Sequence, residues 1–248
     1  MKMKNLEVKY VVKIKITGDT HGEQRRMLDY IDAHKKSPDF DMLLICGDFG
    51  YIFRGDRGEN SFLNYIEKEA DFDIVFVDGN HENFPEIYSY PIEKWNDGLV
   101  HTIRKNIRHL MRGEIYTFGS KTFFTFGGGY SIDKEFRLRH EELYKRKVWW
   151  KEEFPTQEEI NHAFSNLEVH NWKVDYIITH SAPTNVLPLV SEFFISSAKA
   201  DIDIVNSTLE AIRQKTVFDH WFFGHYHGNK EIDDKFTILY EISRNIEV

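Results

Sequence analysis

The chain has 248 residues and a formal net charge of −8, so it is acidic and long enough to bury a substantial core. This acidity argues against broad non-specific binding of nucleic acid, although bound metal ions could reverse the local field for a small anionic substrate. The apolar runs are strand-sized, lysines interrupt the N-terminal apolar stretch, and the single cysteine, Cys46, excludes an internal disulfide. We therefore expect a cytoplasmic protein with no membrane partner, in which Cys46 is a small buried core residue.

The first part of the chain alternates strand-like and helix-like segments. Strands are predicted at residues 11–17, 42–46 and 73–77, and helices at residues 23–35 and 61–70. Strands that alternate with helices in this way are typical of a parallel α/β sheet.

From about residue 99 the pattern changes to short β-like runs separated by turn residues, which indicates antiparallel hairpins. Thr156 and Glu159 have the capping-box spacing at the start of a helix predicted over residues 156–169. The strand-like runs of this part are residues 114–118, 122–126, 176–179, 221–223 and a closing hairpin over 230–240. We expect one α/β domain over residues 1–248, with two sheets and flanking helices.

Five short polar segments each follow a predicted strand. They are GDTHG at 18–22, GDFG at 47–50, GNHE at 79–82, THS at 179–181 and GHYHG at 224–228. Ligands of α/β proteins gather at the carboxyl ends of strands, so we expect the five segments to converge on one site. Each segment alone is a weak signal, but His225 and His227 would point the same way if the backbone there is extended.

Together these motifs, D-x-H, G-D, G-N-H-E, H and G-H-x-H, resemble the calcineurin-like metallophosphoesterase superfamily from residue 18 to residue 228. The resemblance implies an αββα sandwich of two mixed sheets and a centre of two metal ions. It implies these roles: Asp19, His21 and His227 on one ion, Asn80, His180 and His225 on the other, Asp48 as the bridge and His81 as the catalytic histidine. Such a donor set without thiolate suits Mn, Fe, Zn, Ni or Co, and we expect Mn.

The residues after Asp48 depart from one branch of that superfamily. Protein serine/threonine phosphatases usually continue G-D with x-V-D-R-G, whereas this chain continues with FGYIFR. The departure weakens the case for phosphoprotein substrates and for the symmetric dinucleotide hydrolases of that branch. Three segments resemble small phage and bacterial metallophosphoesterases, a group without one shared substrate. They are this continuation, GNHENF and GGGYSIDKEFR.

Residues 130–155 are rich in arginine, lysine and aromatic residues and are a candidate substrate-facing flap. In that interpretation Arg137 binds phosphate and Trp150 stacks on a base, while Arg54, just after the Asp48 turn, also reaches the phosphate. The alternative interpretation is a solvated amphipathic helix whose tryptophans pack on the core.

The function implied by the resemblance is hydrolysis of phosphate esters, of a phosphomonoester or nucleotide-type substrate, by metal-activated water. In that reaction His81 donates a proton to the leaving oxygen. The alternative is a nuclease or phosphodiesterase acting on nucleic acid or cyclic nucleotides, which the arginine- and tryptophan-rich segment favours and the net charge opposes. A non-catalytic scaffold is disfavoured because all seven ligand positions are retained.

Overall fold

The computed structural model describes residues 11–193 and 203–248. In these ranges there are thirteen strands and six α-helices. The strands are β1 (Lys13–Thr17), β2 (Met42–Ile45), β3 (Asp73–Phe76), β4 (Ile92–Trp95), β5 (Gly98–Arg104), β6 (Ile107–Leu110), β7 (Ile115–Phe118), β8 (Lys121–Phe126), β9 (Tyr176–Thr179), β10 (His220–Phe223), β11 (Lys230–Glu231), β12 (Phe236–Ile238) and β13 (Ser243–Glu247). The helices are α1 (Gln24–Lys36), α2 (Arg57–Glu69), α3 (Phe84–Ser89), α4 (Lys134–Tyr144), α5 (Gln157–Val169) and α6 (Ile204–Lys215).

The larger sheet has the strand order β13-β1-β2-β3-β6-β5-β4. Its centre, β1 to β3 and β6, is parallel, and β13, β5 and β4 are added in antiparallel pairings. All four residues of β2, MLLI, are buried, as expected for a parallel strand that is covered on both faces. The predicted alternation of strands and helices is therefore confirmed in this half.

The smaller sheet has the order β11-β12-β10-β9-β8-β7. Strands β8, β9, β10 and β12 are parallel, while β7 pairs with β8 and β11 pairs with β12 in antiparallel hairpins. These are the hairpins predicted from the turn residues around 119–120 and 233–234. Both sheets are thus mixed.

The two sheets face each other across one apolar layer and carry helices on their outer faces. Between them Leu44 and Val75 of the larger sheet pack with Phe123 and Ile178 of the smaller, and Cys46 is buried in the same layer. Helices α1 and α2 cover the outside of the larger sheet, and α5 and α6 cover the smaller. This arrangement is the αββα sandwich that the sequence predicted.

Local sequence signals account for several element boundaries. Thr156 accepts a hydrogen bond from the backbone N–H of Glu159, whose side chain accepts one from the Thr156 N–H, so the predicted capping box is confirmed. Within the described ranges no helix is long and apolar enough to cross a membrane.

Candidate metal centre

Turns at the carboxyl ends of five strands bring seven polar side chains to one place between the sheets. Strands β1, β2 and β3 come from the larger sheet, and β9 and β10 from the smaller. The side chains are Asp19 after β1, Asp48 after β2, Asn80 after β3, His180 after β9, and His225 and His227 after β10, with His21 two residues beyond Asp19. The convergence expected from the motifs is present in the structure.

The cluster has two halves. In one half the Nε2 atoms of His21 and His227 are 2.9 Å apart, and Asp19 Oδ2 lies 3.6 Å from His227 Nε2. In the other half His180 Nε2 lies 3.0 Å from Asn80 Oδ1 and 3.1 Å from His225 Nδ1. Each half contains residues that the family resemblance would assign to one ion.

Asp48 lies between the halves. Its Oδ2 is 3.7 Å from His21 Nε2, and its Oδ1 is 3.5 Å from His180 Nε2. The backbone N–H of His81 donates to Oδ1 at 2.8 Å and fixes the carboxylate. A carboxylate in this position can contact a cation on each side.

The backbone at the cluster occupies an uncommon conformation. His21, Asp48, His225 and His227 all have positive φ angles, of 47°, 49°, 69° and 50°. Non-glycine residues adopt this region rarely, and such residues concentrate at functional sites. This conformation corrects the expectation that an extended backbone points the side chains of His225 and His227 the same way. The backbone there is not extended, and the two rings point to different halves of the cluster.

The hydrogen-bond partners of His180 place an acceptor atom opposite each of its ring nitrogens. His180 Nδ1 lies 2.9 Å from the carbonyl oxygen of Cys46, which only accepts hydrogen bonds, so Nδ1 carries the proton. In the neutral ring Nε2 is then an acceptor, and it faces the Asn80 oxygen at 3.0 Å. Two acceptors at this distance are compatible only if a proton or a metal ion lies with them.

The donor set and its spacing fit divalent metal ions. Imidazole nitrogens and carboxylate oxygens bind such ions at ~2.0–2.2 Å, which places neighbouring ligand atoms about 3 Å apart. Within each half, the facing ligand atoms are 2.9 to 3.1 Å apart. Asp19, His21 and His227 form one group that could hold an ion, and Asp19, Asp48 and His180 form another.

Electrostatics keep most donors in the form that binds a metal. Burial lowers the pKa of His225 and of His227, so both rings are neutral near pH 7. Burial would raise the pKa of Asp48, but the neighbouring histidines, His180 first, hold it well below its ordinary value. The pKa of His180 is raised: its burial would lower it, but the charges of Asp48 and Asp19 outweigh that effect.

His81 lies beside the cluster, with its ring centroid 4.9 Å from that of His21. Its burial lowers its pKa to about 4. The Arg137 guanidinium contacts the His81 ring, donates to the carbonyl of Asn80 at 3.2 Å and is itself buried. His81, His21 and Asp48 also form a group close enough to share an ion, so the position of His81 is compatible with coordination as well as with proton transfer.

A cavity of about 440 Å³ opens beside the cluster. The predicted flap contributes to its wall, and Arg54 lies at its edge with a half-exposed side chain whose Nε is 3.3 Å from Glu59. The lining residues are His21, Gly22, Gly50, Phe53, Arg54, Glu59, His81, His140, Arg146 and Val148. Residues 130–155 therefore face the cavity at three positions, and Arg137 reaches the cluster itself.

The position of Trp150 corrects the prediction that it stacks on a base. Trp150 is only 5% exposed, and its ring packs edge-on against Phe53 at 5.6 Å. It is therefore a core residue of the flap, as the alternative interpretation of the tryptophans proposed.

Several buried polar residues near the cluster were not predicted as site residues. Glu82 is fully buried and accepts the backbone N–H of Phe49 at 2.6 Å, so it stabilises the turn that carries Asp48. Asp78 forms a buried ion pair with Arg112, 3.0 Å from its Nε, directly before the Gly79–Asn80 turn. Their sequence signal was their position, since Glu82 is the last residue of the G-N-H-E motif and Asp78 directly precedes it.

A sequence model of the calcineurin-like phosphoesterase family matches residues 12–229 of the chain. Among solved structures, the protein TT1561 of Thermus thermophilus is 8% identical, with 94% of this chain and 91% of that chain covered and a TM-score of 0.51. A phosphopantetheinyl hydrolase from Mycobacterium tuberculosis is 13% identical, with 93% and 91% covered and a TM-score of 0.41. At 8% identity the likeness to TT1561 concerns the fold alone. No curated protein sequence matches the chain.

Proposed function

This chain belongs to the calcineurin-like phosphoesterase family, and we propose that it hydrolyses phosphoesters of small phosphorylated molecules with two divalent metal ions. The family comprises metal-dependent phosphoester hydrolases in general, whereas the substrate class and the two-ion centre are our proposal. The observation that carries the proposal is the convergence of six donor side chains, in two halves, around a seventh, Asp48.

We assign the ligands by half. Asp19, His21 and His227 would hold one ion, and Asn80, His180 and His225 the other, with Asp48 shared. When bound, the ions supply activation of a water nucleophile and polarisation of the phosphoryl oxygens. The chain's contribution is to hold the unprotonated donors in place, which the low pKa values of Asp48, His225 and His227 support. We expect Mn, and the same donors suit Fe, Zn, Ni or Co.

His81 and Arg137 are proposed to act on the substrate beside the ions. Arg137 holds the His81 ring and presents a cation where the phosphate would lie. Burial keeps His81 neutral in the free protein, and an anionic phosphate next to it would raise its pKa and allow it to carry a proton to the leaving oxygen.

The cavity supports a small substrate. Its volume of about 440 Å³ lies in the range of small-molecule sites, ~300–1,000 Å³. The net charge of −8 opposes a nucleic-acid substrate, which needs a basic surface. Phe53 and Val148 give the cavity apolar walls. Arg146 gives it positive charge for a leaving group, whereas the charge of Arg54 is paired with Glu59.

The test is an activity assay on metal-stripped protein with metal content measured by elemental analysis. A simple aryl phosphate, the bis-aryl phosphodiester and a single-stranded oligonucleotide are compared with Mn, Co, Ni and Zn added back. We expect hydrolysis of a small ester to vanish on stripping and to return with metal. Full activity of metal-free protein would contradict the metal-dependent mechanism, and cleavage of the oligonucleotide alone would favour a nuclease.

A further inference from the structure

A chain of buried hydrogen bonds leads away from Asn80. The Asn80 Nδ2 donates to Ser131 Oγ at 3.1 Å, and the Ser131 hydroxyl donates to Glu153 Oε2 at 2.5 Å. Ser131 is 1% exposed and Glu153 is fully buried. The two residues lie near the two ends of the flap, and neither belongs to the motifs that predicted the site.

The direction of these bonds determines the orientation of the Asn80 amide. A serine hydroxyl has one proton, and here it is given to a carboxylate that can only accept. Ser131 must therefore accept from Asn80, which turns the NH₂ group toward Ser131. The amide oxygen then faces His180 Nε2 at 3.0 Å.

Without this restraint the opposite orientation of the amide would fit the same space, because its oxygen and NH₂ group are nearly equal in size. When His180 carries one proton, on Nδ1 where it bonds the Cys46 carbonyl, its Nε2 accepts a hydrogen bond and attracts the amide NH₂. That orientation would present a donor to the site, and a donor cannot bind a metal ion.

We propose that Glu153, acting through Ser131, holds the Asn80 amide with its oxygen toward the metal centre, and that both are positioning residues for one of the two ions. The inference rests on the proposed function, in which Asn80 is a ligand. Partners of this kind typically change metal affinity by ~10–100-fold.

The state of Glu153 sets the conditions of the test. Burial raises the pKa of Glu153, and the hydrogen bonds from Ser131 and the charge of Arg137 oppose that rise. Because a raised pKa favours the protonated carboxyl at lower pH, metal binding is measured at alkaline pH.

The experiment titrates metal-stripped protein with Co²⁺, followed by visible absorption and by calorimetry. We expect two ions in the wild type. Ser131→Ala should weaken one of them by ~10–100-fold and leave the other unchanged. Glu153→Gln should weaken the same ion less, because glutamine can either accept from Ser131 or donate to it. Ser131→Thr, which keeps the hydroxyl, should bind both ions as wild type does.

The matched control is Thr125→Val, which removes another fully buried hydroxyl, one that donates to the Met111 carbonyl at 2.9 Å away from the cluster. Melting temperatures of all metal-free variants are compared. Wild type that binds no Co²⁺ would refute the proposed function. If the wild type binds two ions and both Ser131→Ala and Glu153→Gln bind them as tightly as wild type does, the positioning role alone is overturned. The positioning role is also overturned if Ser131→Ala weakens the binding of both ions equally and Thr125→Val weakens it to the same extent.

Discussion

The two halves of the candidate metal centre differ in the exposure of several ligands, although Asp19 of the first half is 1% exposed and His225 of the second is partly exposed. The side chains of His21 and His227 are 28% and 37% exposed, whereas His180 is fully buried and Asn80 is 6% exposed. The open half faces the cavity. The closed half lies against Gly129, where an added Cβ would come within 3.0 Å of His180 Cδ2.

The partners of the ligands differ in the same way. In the closed half His180 is held by the Cys46 carbonyl and Asn80 by Ser131. In the open half His227 stacks on Tyr240, with centroids 4.3 Å apart, and His21 contacts His227 across the cluster. If two ions bind as proposed, we expect the closed half to hold its ion more tightly and the open half to leave room for water and substrate.

Asp48→Asn should have the largest effect, because Asp48 lies between His21 of one half and His180 of the other and is proposed to be shared by both ions. We expect both ions to bind more weakly and activity to fall by ~10³-fold or more, since the ions contribute several kcal/mol to catalysis. Asp19→Asn should weaken mainly the ion of the open half. Elemental analysis and metal titration give the two stoichiometries, and an Asp48→Asn protein that binds two ions as tightly as wild type would exclude the bridge.

His81→Ala should bind both ions nearly normally and turn over ~10²–10⁴-fold more slowly, because the expected role of His81 is proton transfer. An aryl oxide leaves readily without a proton, so an alkyl phosphate should be affected more than p-nitrophenyl phosphate. The measurements are metal content and the rate ratio for the two esters. Loss of an ion would instead make His81 a ligand of the open half, which its distance to His21 and Asp48 allows.

The two ions should leave at different rates. When loaded protein is mixed with a chelator, we expect a fast phase from the open half and a slow phase from the closed half, differing by ~10-fold or more because fixed partners strengthen ligands. Asp19→Asn should remove the fast phase and Asn80→Ala the slow one. Loss of both ions in a single phase would show that the difference in burial has no kinetic consequence.

Arg146→Ala should have the smallest effect, a rise of about 2–5-fold in KM for an ester with a large leaving group, because exposed charged contacts contribute little. A minimal aryl phosphate should be affected less, since Arg146 lies on the wall of the cavity and not in the cluster. Arg139→Ala is the matched control, an exposed arginine of α4 that does not line the cavity. Equal KM changes in the two variants would mean that the cavity does not hold the leaving group.

Most of the central strands could be predicted because parallel strands covered on both faces are short apolar runs, as in β2 and β3. The edge strand β13 could not, because none of its five residues is buried and its sequence SRNIE has no apolar face. Helix α3 is only six residues long, and its start at Asn83 depends on a cap that became evident only once the turn after β3 was formed. The pattern of apolar residues therefore identifies the central strands of the core, but not the edge strand or the short helix.

The sequence by itself determined the fold class, and its five motifs, through the family resemblance they carry, indicated the seven candidate donor residues. Each motif follows a strand, and the carboxyl ends of such strands meet. Tertiary structure alone decided the rest of the site. Left-handed backbone at His225 and His227 sends the two rings to different halves, burial makes Trp150 a core residue, and Ser131 and Glu153 reach Asn80 from 51 residues or more along the chain. These features arise from packing and from the pairing of buried polar groups, which depend on distances in space and leave no local periodicity in the sequence.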